Sequence, residues 1–250
     1  MYHTTGLTVE QITDLCTLVD IDTAGEQRPW PPILGLLNSV VIALTYLRRN
    51  RVQAELAETY KVSQPTISRA VTGMTPLIER VLKKFVPTAD ELDDQTQYVV
   101  DGTLLPCWSW ADRPQLYSGK HKTTGMNVQI ACTLEGRLVW ISDPIDGSRH
   151  DTYCLKESGV LLTPSPDNWM GDKGYVGNRM LTPIKKPKCR ELLDREKEFN
   201  TQINKIRYVI EQVIANFKTW RIMHTDYRRP IDTFSETISA VVALHFYAAA

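Results

Sequence analysis

The sequence predicts an α/β chain in which a mixed sheet flanked by helices follows a small all-helical domain. Three observations carry that expectation. Short apolar runs beyond residue 96 recur at strand length and break at glycine or proline. The stretch from Arg195 to Lys218 has helical periodicity, and two short helical patterns meet at Lys61-Val62-Ser63. Hydrophobic residues make up 42% of the 250, ample for a core in one or two domains.

From the N-terminus, Pro31 to Leu47 reads as a strongly apolar helix, too short and interrupted to span a membrane and suited to a bundle core. Gln53 to Tyr60 is a helix, Lys61-Val62-Ser63 a tight turn, and Ser63 a cap for a second helix with Pro65 in its first turn. Leu56, Ala57, Tyr60, Val62, Ile67 and Val71 match the buried positions of a helix-turn-helix. Gln64, Thr66, Ser68, Arg69 and Thr72 are left on the outer or leading face, within reach of base edges or phosphates. Glycine often stands where Lys61 does, and any pair of short helices in a bundle gives the same pattern. The acidic, unpatterned Pro87 to Thr96 marks a boundary between a helical domain, 1–89, and a second domain, 90–250.

In the second domain Gln97 to Cys107, Asn127 to Thr133 and Arg137 to Ser142 read as strands, the last two joined by a Glu135-Gly136 turn. Asp151 to Glu157 is a short helix whose first residue suits an N-terminal cap. Asn168 to Asp172 and Thr182 to Lys186 are the fourth and fifth strands, and the long helix follows. The final helix, Thr233 to Tyr247, is apolar enough to pack on the sheet.

Three acids stand out. Asp101 precedes Gly102-Thr103, Asp172 lies in Gly171-Asp172-Lys173-Gly174-Tyr175, and Glu211 sits inside the long helix. There, Ile203, Ile206, Ile210, Val213, Ile214 and Phe217 define the buried face, and Arg207, Glu211 and Lys218 form a stripe beside it. An i,i+4 surface ion pair gives the same spacing. Two aspartates at strand ends meeting a glutamate from a helix can also hold two divalent cations about 3.5 to 4 Å apart, the arrangement that cuts phosphodiesters. Oxygen donors suit magnesium or manganese.

The formal net charge is zero, but it is unevenly spread. Residues 45–89 hold eight Lys or Arg against three acids, and residues 179–229 thirteen against six. Residues 90–172 hold thirteen acids against six bases, so basic charge gathers on the helix pair and around Glu211 while acids gather where metals would sit. Lys120, His121 and Lys122, beside Gly119, form a second basic cluster that could grip a phosphate backbone or be an ordinary charged turn. The five cysteines show no CxxC spacing, which points to a reducing cytosol and no structural zinc. No signal peptide, repeat or low-complexity tract is evident. His150-Asp151 is also the pairing of helical HD-type phosphohydrolases, but the other histidines lack the spacing of a metal set.

Taken together, Asp101-Gly102-Thr103, Gly171-Asp172-Lys173-Gly174-Tyr175 and Arg207-x3-Glu211-x6-Lys218 resemble the motifs of DDE transposases, specifically bacterial insertion-sequence transposases of the insertion-sequence-five type, related to Harbinger-like enzymes. The resemblance runs from about Thr8 to the C-terminus. Relatives usually carry a tyrosine three residues before the arginine, where this chain has Asn204. The 39 positions between Asp172 and Glu211 leave no room for a large inserted domain. The resemblance implies an RNase H-like catalytic domain with Asp101, Asp172 and Glu211 as ligands of magnesium or manganese, and Arg207 and Lys218 beside them. It implies binding of terminal inverted repeats and target double-stranded DNA, strand transfer, assembly of more than one copy, and a cytoplasmic, nucleoid-associated place in a bacterium. A catalytically silent DNA-binding regulator descended from such an enzyme is the alternative.

Overall fold

A computed structural model of the chain describes residues 2–108, 112–162 and 166–250. In chain order its helices and strands are α1 (Tyr2–Thr5), α2 (Val9–Asp22), α3 (Gly35–Arg49), α4 (Gln53–Tyr60), α5 (Gln64–Leu82), β1 (Tyr98–Pro106), β2 (Tyr117–Ser118), β3 (Thr123–Thr133), β4 (Leu138–Ile141), β5 (Ile145–Asp146), α6 (Asp151–Glu157), β6 (Trp169–Met170), α7 (Asp194–Phe217) and α8 (Phe234–Ala249). They form two compact units, one of residues Met1–Val86 with Lys218–Ala250, the other Pro87–Phe217.

The first unit is all helical. α2 starts at a capping box in which the Thr8 hydroxyl accepts from Gln11 N–H and the Gln11 side chain accepts from Thr8 N–H. Ile12, Leu15 and Val19 are its buried stripe. α3 begins later than Pro31, since Pro31 and Pro32 precede it, and ends at Asn50 in the left-handed conformation. α5 has a wide buried face, including Ile67, Ala70, Val71, Met74, Leu77 and Ile78. α8 packs against that helix, which corrects the expectation that the last helix lies on the sheet. Ten of its residues are buried, so it is apolar on nearly every side and its pattern does not choose a partner.

α4 and α5 meet at a three-residue turn. Lys61 takes the left-handed conformation at φ 53°, and the turn closes through Val62 N–H to Ala57 O at 3.0 Å, so it is tight without glycine. Ser63 occupies the N-cap position of α5, but its hydroxyl bonds to Thr66 Oγ1 at 2.9 Å rather than to a backbone N–H, a correction to its expected capping role. Leu56, Ala57, Ile67 and Val71 are buried as expected, and Tyr60 and Val62 are partly so.

The second unit is built around β3. β1 runs antiparallel to it from Tyr98 opposite Thr133 to Pro106 opposite Gly125, while β2, β5 and β4 pair with other parts of β3. β6 lies parallel to β1, Val99 opposite Met170, so the sheet is mixed. α7 packs on β1 and β3, and α6 on β3. A core of Tyr98, Val100, Ala131, Trp140, Leu155, Trp169 and Tyr175 fills one side.

Two expectations fail here. Asp101 does not end its strand: β1 continues through Gly102 to Pro106. Thr182 to Lys186 is not a strand; only Leu181 bridges Met170. Pro183 and Pro187 remove backbone donors, and both backbone groups of Ile184 are taken by the buried Asn200 amide of α7, at 2.7 and 3.0 Å.

Candidate active site

Asp101 projects from the middle of β1, where two partly buried positions, Asp101 and Gly102, separate fully buried runs on either side. Its Oδ1 accepts from Gly102 N–H at 2.9 Å, and Arg207 of α7 brings Nη2 to 3.5 Å of Oδ2. Both side chains are mostly enclosed, at 21% and 16% exposure, so this pair is only weakly screened by solvent. Burial pushes the Asp101 carboxyl up to about 6; the Arg207 charge opposes this, and the charges of Asp172 and Asp151 add to it.

Asp172 follows β6, the strand parallel to β1, and so arrives beside Asp101 from the neighbouring strand end. Its Oδ1 accepts from Gly174 N–H at 2.6 Å, capping a short 3₁₀ turn. Gly174 permits that approach, because a Cβ there would stand 2.8 Å from the same oxygen.

Asp151 is the third carboxylate of this neighbourhood. His150, not Asp151, occupies the N-cap position of α6, and the Asp151 side chain turns inward: Oδ2 accepts from Lys120 Nζ at 2.7 Å and Oδ1 from Asn127 Nδ2 at 3.0 Å. This corrects the expected cap. The chain of bonds continues from Gln129 Nε2 to Asn127 Oδ1 at 2.9 Å and from Tyr175 O–H to Gln129 Oε1 at 2.6 Å. Burial, reinforced by Asp151, Asp101 and Asp172, raises the Tyr175 phenol well above its ordinary value, so it is a fixed donor. Burial works against the charge of Lys120, but its hydrogen bond to Asp151 and the three aspartate charges raise its pKa overall.

Asn127, Gln129 and Tyr175 were not singled out from the sequence, although a signal existed. Asn127 and Gln129 alternate with apolar Val128 and Ile130, which puts two buried amides on one face of a strand.

The other expected residues are distributed as follows. Glu211 lies one turn beyond Arg207 on α7, about 6 Å along the helix, and its side chain is exposed. Ile206, expected on the buried face, is 42% exposed. α7 ends at Phe217, so Lys218 falls just past the helix; burial lowers its pKa. Lys120, His121 and Lys122 form the turn of a hairpin between β2 and β3, with Lys122 at φ 53°. Lys120 is paired with Asp151 while its side chain stays 59% exposed. In the helical unit Gln64, Arg69 and Thr72 are exposed and Ser68 partly so, but Thr66 is buried at 6% exposure, bonded to Ser63, which corrects its place on the outer face.

Among the described residues no three His, Cys, Asp or Glu side chains are grouped as they stand to hold a metal ion. The donor chemistry nevertheless fits a hard divalent cation. Asp101 is destabilised as an anion by burial and by two neighbouring carboxylates, and a cation would reverse that destabilisation.

A family model described as DDE superfamily endonuclease matches residues 100–245, more than half of the chain. The chain belongs to the DDE superfamily endonuclease family. It is also similar to the putative transposase for insertion sequence element IS112 of Streptomyces albus G, 26% identical over 96% of this chain and 91% of that protein. A second relative is the probable transposase for insertion sequence element IS702 of Microchaete diplosiphon, 24% identical over 97% of this chain and 91% of that protein. The DDE endonuclease match begins within β1, one residue before Asp101, and runs into α8. No helix of the described residues is long and apolar enough to cross a membrane.

Proposed function

We propose that this DDE endonuclease is a DNA transposase: it binds the terminal inverted repeats of its element, hydrolyses a phosphodiester there, and joins the freed end to target DNA. The observation that carries this reading is the approach of Asp172 to Asp101 from adjacent parallel strands, with Arg207 held against Asp101 and Glu211 one turn further on the same helix. The transposase names of two relatives, similar over nearly the full chain, support it.

In this reading Asp101, Asp172 and Glu211 would hold magnesium or manganese, which would supply Lewis-acid polarisation of the scissile phosphate and ease formation of the attacking oxygen anion. Arg207 neutralises Asp101 when no cation is near and contacts a phosphate when DNA is bound. Lys218 and Lys173 are further cations close in sequence to the acids. Asp151, tied to Lys120 and Asn127, keeps the floor beneath Asp101 in place. Binding to the duplex falls to α4 and α5, with Gln64, Ser68, Arg69 and Thr72 facing out. Bringing two element ends together requires more than one copy of the chain.

A silent DNA-binding regulator is the second reading, favoured by one observation: the exposed Glu211 is not grouped with the aspartates as it stands. Cleavage of end-containing DNA in manganese separates the two. The enzyme nicks it, and Asp172→Asn abolishes nicking while leaving DNA binding. A regulator binds and never nicks.

A further inference from the structure

The helical unit contains a cleft of about 520 Å³ that joins the α4–α5 turn region to a segment far away in sequence. Arg51, Val52 and Gln53 at the start of α4, Gln64, Ser68 and Thr72 of α5, and Arg228 and Arg229 line it. No side chain caps the backbone N–H groups at the start of α4, and the same holds at α5. Arg228 donates to Asn50 O at 2.9 Å and Asn50 Oδ1 at 3.2 Å, and Arg229 donates to Thr72 Oγ1 at 2.9 Å. These acceptors are neutral, so the bonds orient both guanidiniums without cancelling their charge. Arg51 is the more loosely held of the three, 3.7 Å from Glu55 and half exposed. Tyr46 lines the same cleft.

We infer that this cleft is a phosphate-binding site for the backbone of duplex DNA, made by Arg228 and Arg229 together with Arg51 and the uncapped start of α4. The inference rests on the DNA-binding reading above and extends it: the reading head is discontinuous, built from both ends of the chain. Charge, geometry and chemistry agree. Three guanidiniums and a helix N-terminus converge on one opening, a combination that suits an oxyanion. The charges are positioned at the edge of α5, whose Ser68 and Thr72 face both the cleft and the proposed base-reading side. Burial pushes the Tyr46 phenol up to about 12, and the nearby charges of Arg229 and Arg228 oppose that rise.

The test uses the full chain and a random-sequence DNA duplex, since a phosphate contact is indifferent to sequence. Binding is measured at several salt concentrations for wild type, Arg228→Gln/Arg229→Gln and Arg69→Ala. The arginine pair should bind more weakly, with a log–log salt slope shallower by about 1 to 2, one phosphate contact being worth about 0.9. An unchanged slope and affinity in that variant, with Arg69→Ala weakened, overturns the cleft and leaves the helix-turn-helix reading standing. No duplex binding by wild type overturns both. A measurement on the unaltered protein covers the case of a variant that does not fold: the side-chain Nε–Hε signals of Arg228 and Arg229 should shift on adding duplex DNA. Shifts with inorganic phosphate but not with duplex would make this a free-anion site and overturn the DNA assignment.

Discussion

Arg207 Nη2 stands 3.5 Å from Asp101 Oδ2, and the Arg207 Nε is buried with no hydrogen-bond partner. A buried unsatisfied donor costs roughly 1 to 3 kcal/mol, so this guanidinium is held short of its full set of acceptors. A phosphate oxygen arriving at Asp101 would provide one. Arg207→Lys keeps a charge but not the fork, and should lower cleavage more than it lowers duplex binding. Equal losses in cleavage and binding would make Arg207 a DNA-docking residue only.

The pH dependence follows from Asp101. Its folded-state pKa, about 6, lies above the ordinary carboxylate value, so the folded state holds the proton more tightly than the unfolded chain. The stability this gives is complete below about pH 4 and is lost as pH rises through about 6, a change on the order of 3 kcal/mol. In chelator, Asp101→Asn should therefore melt higher than wild type at pH 8 and nearly together with it at pH 4. Manganese should raise the wild-type melting temperature at pH 8 and leave the variant almost unmoved. Parallel melting curves for the two proteins from pH 4 to 8 would remove the electrostatic account of Asp101.

Gly102 is required by the packing under the site. A Cβ there would collide with Asp151 Oδ1 and come within 2.8 Å of Gln129 Nε2, and neither can retreat without breaking its bonds to Asn127. Gly102→Ala should cost about 1 to 3 kcal/mol and cleavage activity together. Tyr175→Phe, which leaves Gln129 Oε1 without its donor at 2.6 Å, should cost a similar 1 to 3 kcal/mol. Denaturant midpoints measure both.

Much of the candidate site is legible in the sequence because its signal is local. Asp101-Gly102, Gly171-Asp172 and the Arg207–Glu211 spacing are read within a few residues, and α5 and α7 announce themselves by period. What was missed depends on long-range contact. Lys120 and Asp151 lie 31 positions apart, and nothing near either indicates that they meet. Thr182 to Lys186 has a strand's composition, but Asn200 claims its backbone from another element. α2 was overlooked although Thr8 and Gln11 spell a capping box. α8 was recognised as a helix, but a helix apolar on nearly all sides carries no direction to its partner.

That partner has a consequence for dissection. α8 covers α5, so a fragment ending at residue 89 leaves a row including Ile67, Met74 and Ile78 without part of its cover. Residues 1–89 alone should show no cooperative melting transition, whereas residues 1–86 linked to 218–250 should show one. Calorimetry of the two fragments decides it. A cooperative, stable 1–89 fragment would make α8 dispensable to the helical unit.

The most direct test of the central claim is an end-cleavage and strand-transfer assay in manganese. It compares wild type with Asp101→Asn, Asp172→Asn, Glu211→Gln and Asp151→Asn, with duplex binding measured alongside. The account predicts that wild type nicks and joins DNA and that the first three variants lose at least a thousandfold, about 4 kcal/mol of barrier, while still binding. Asp151→Asn should keep part of the activity, because its carboxylate is already engaged by Lys120 and Asn127. Full cleavage by Glu211→Gln, or a wild-type protein that binds end DNA and never nicks it, would contradict the account.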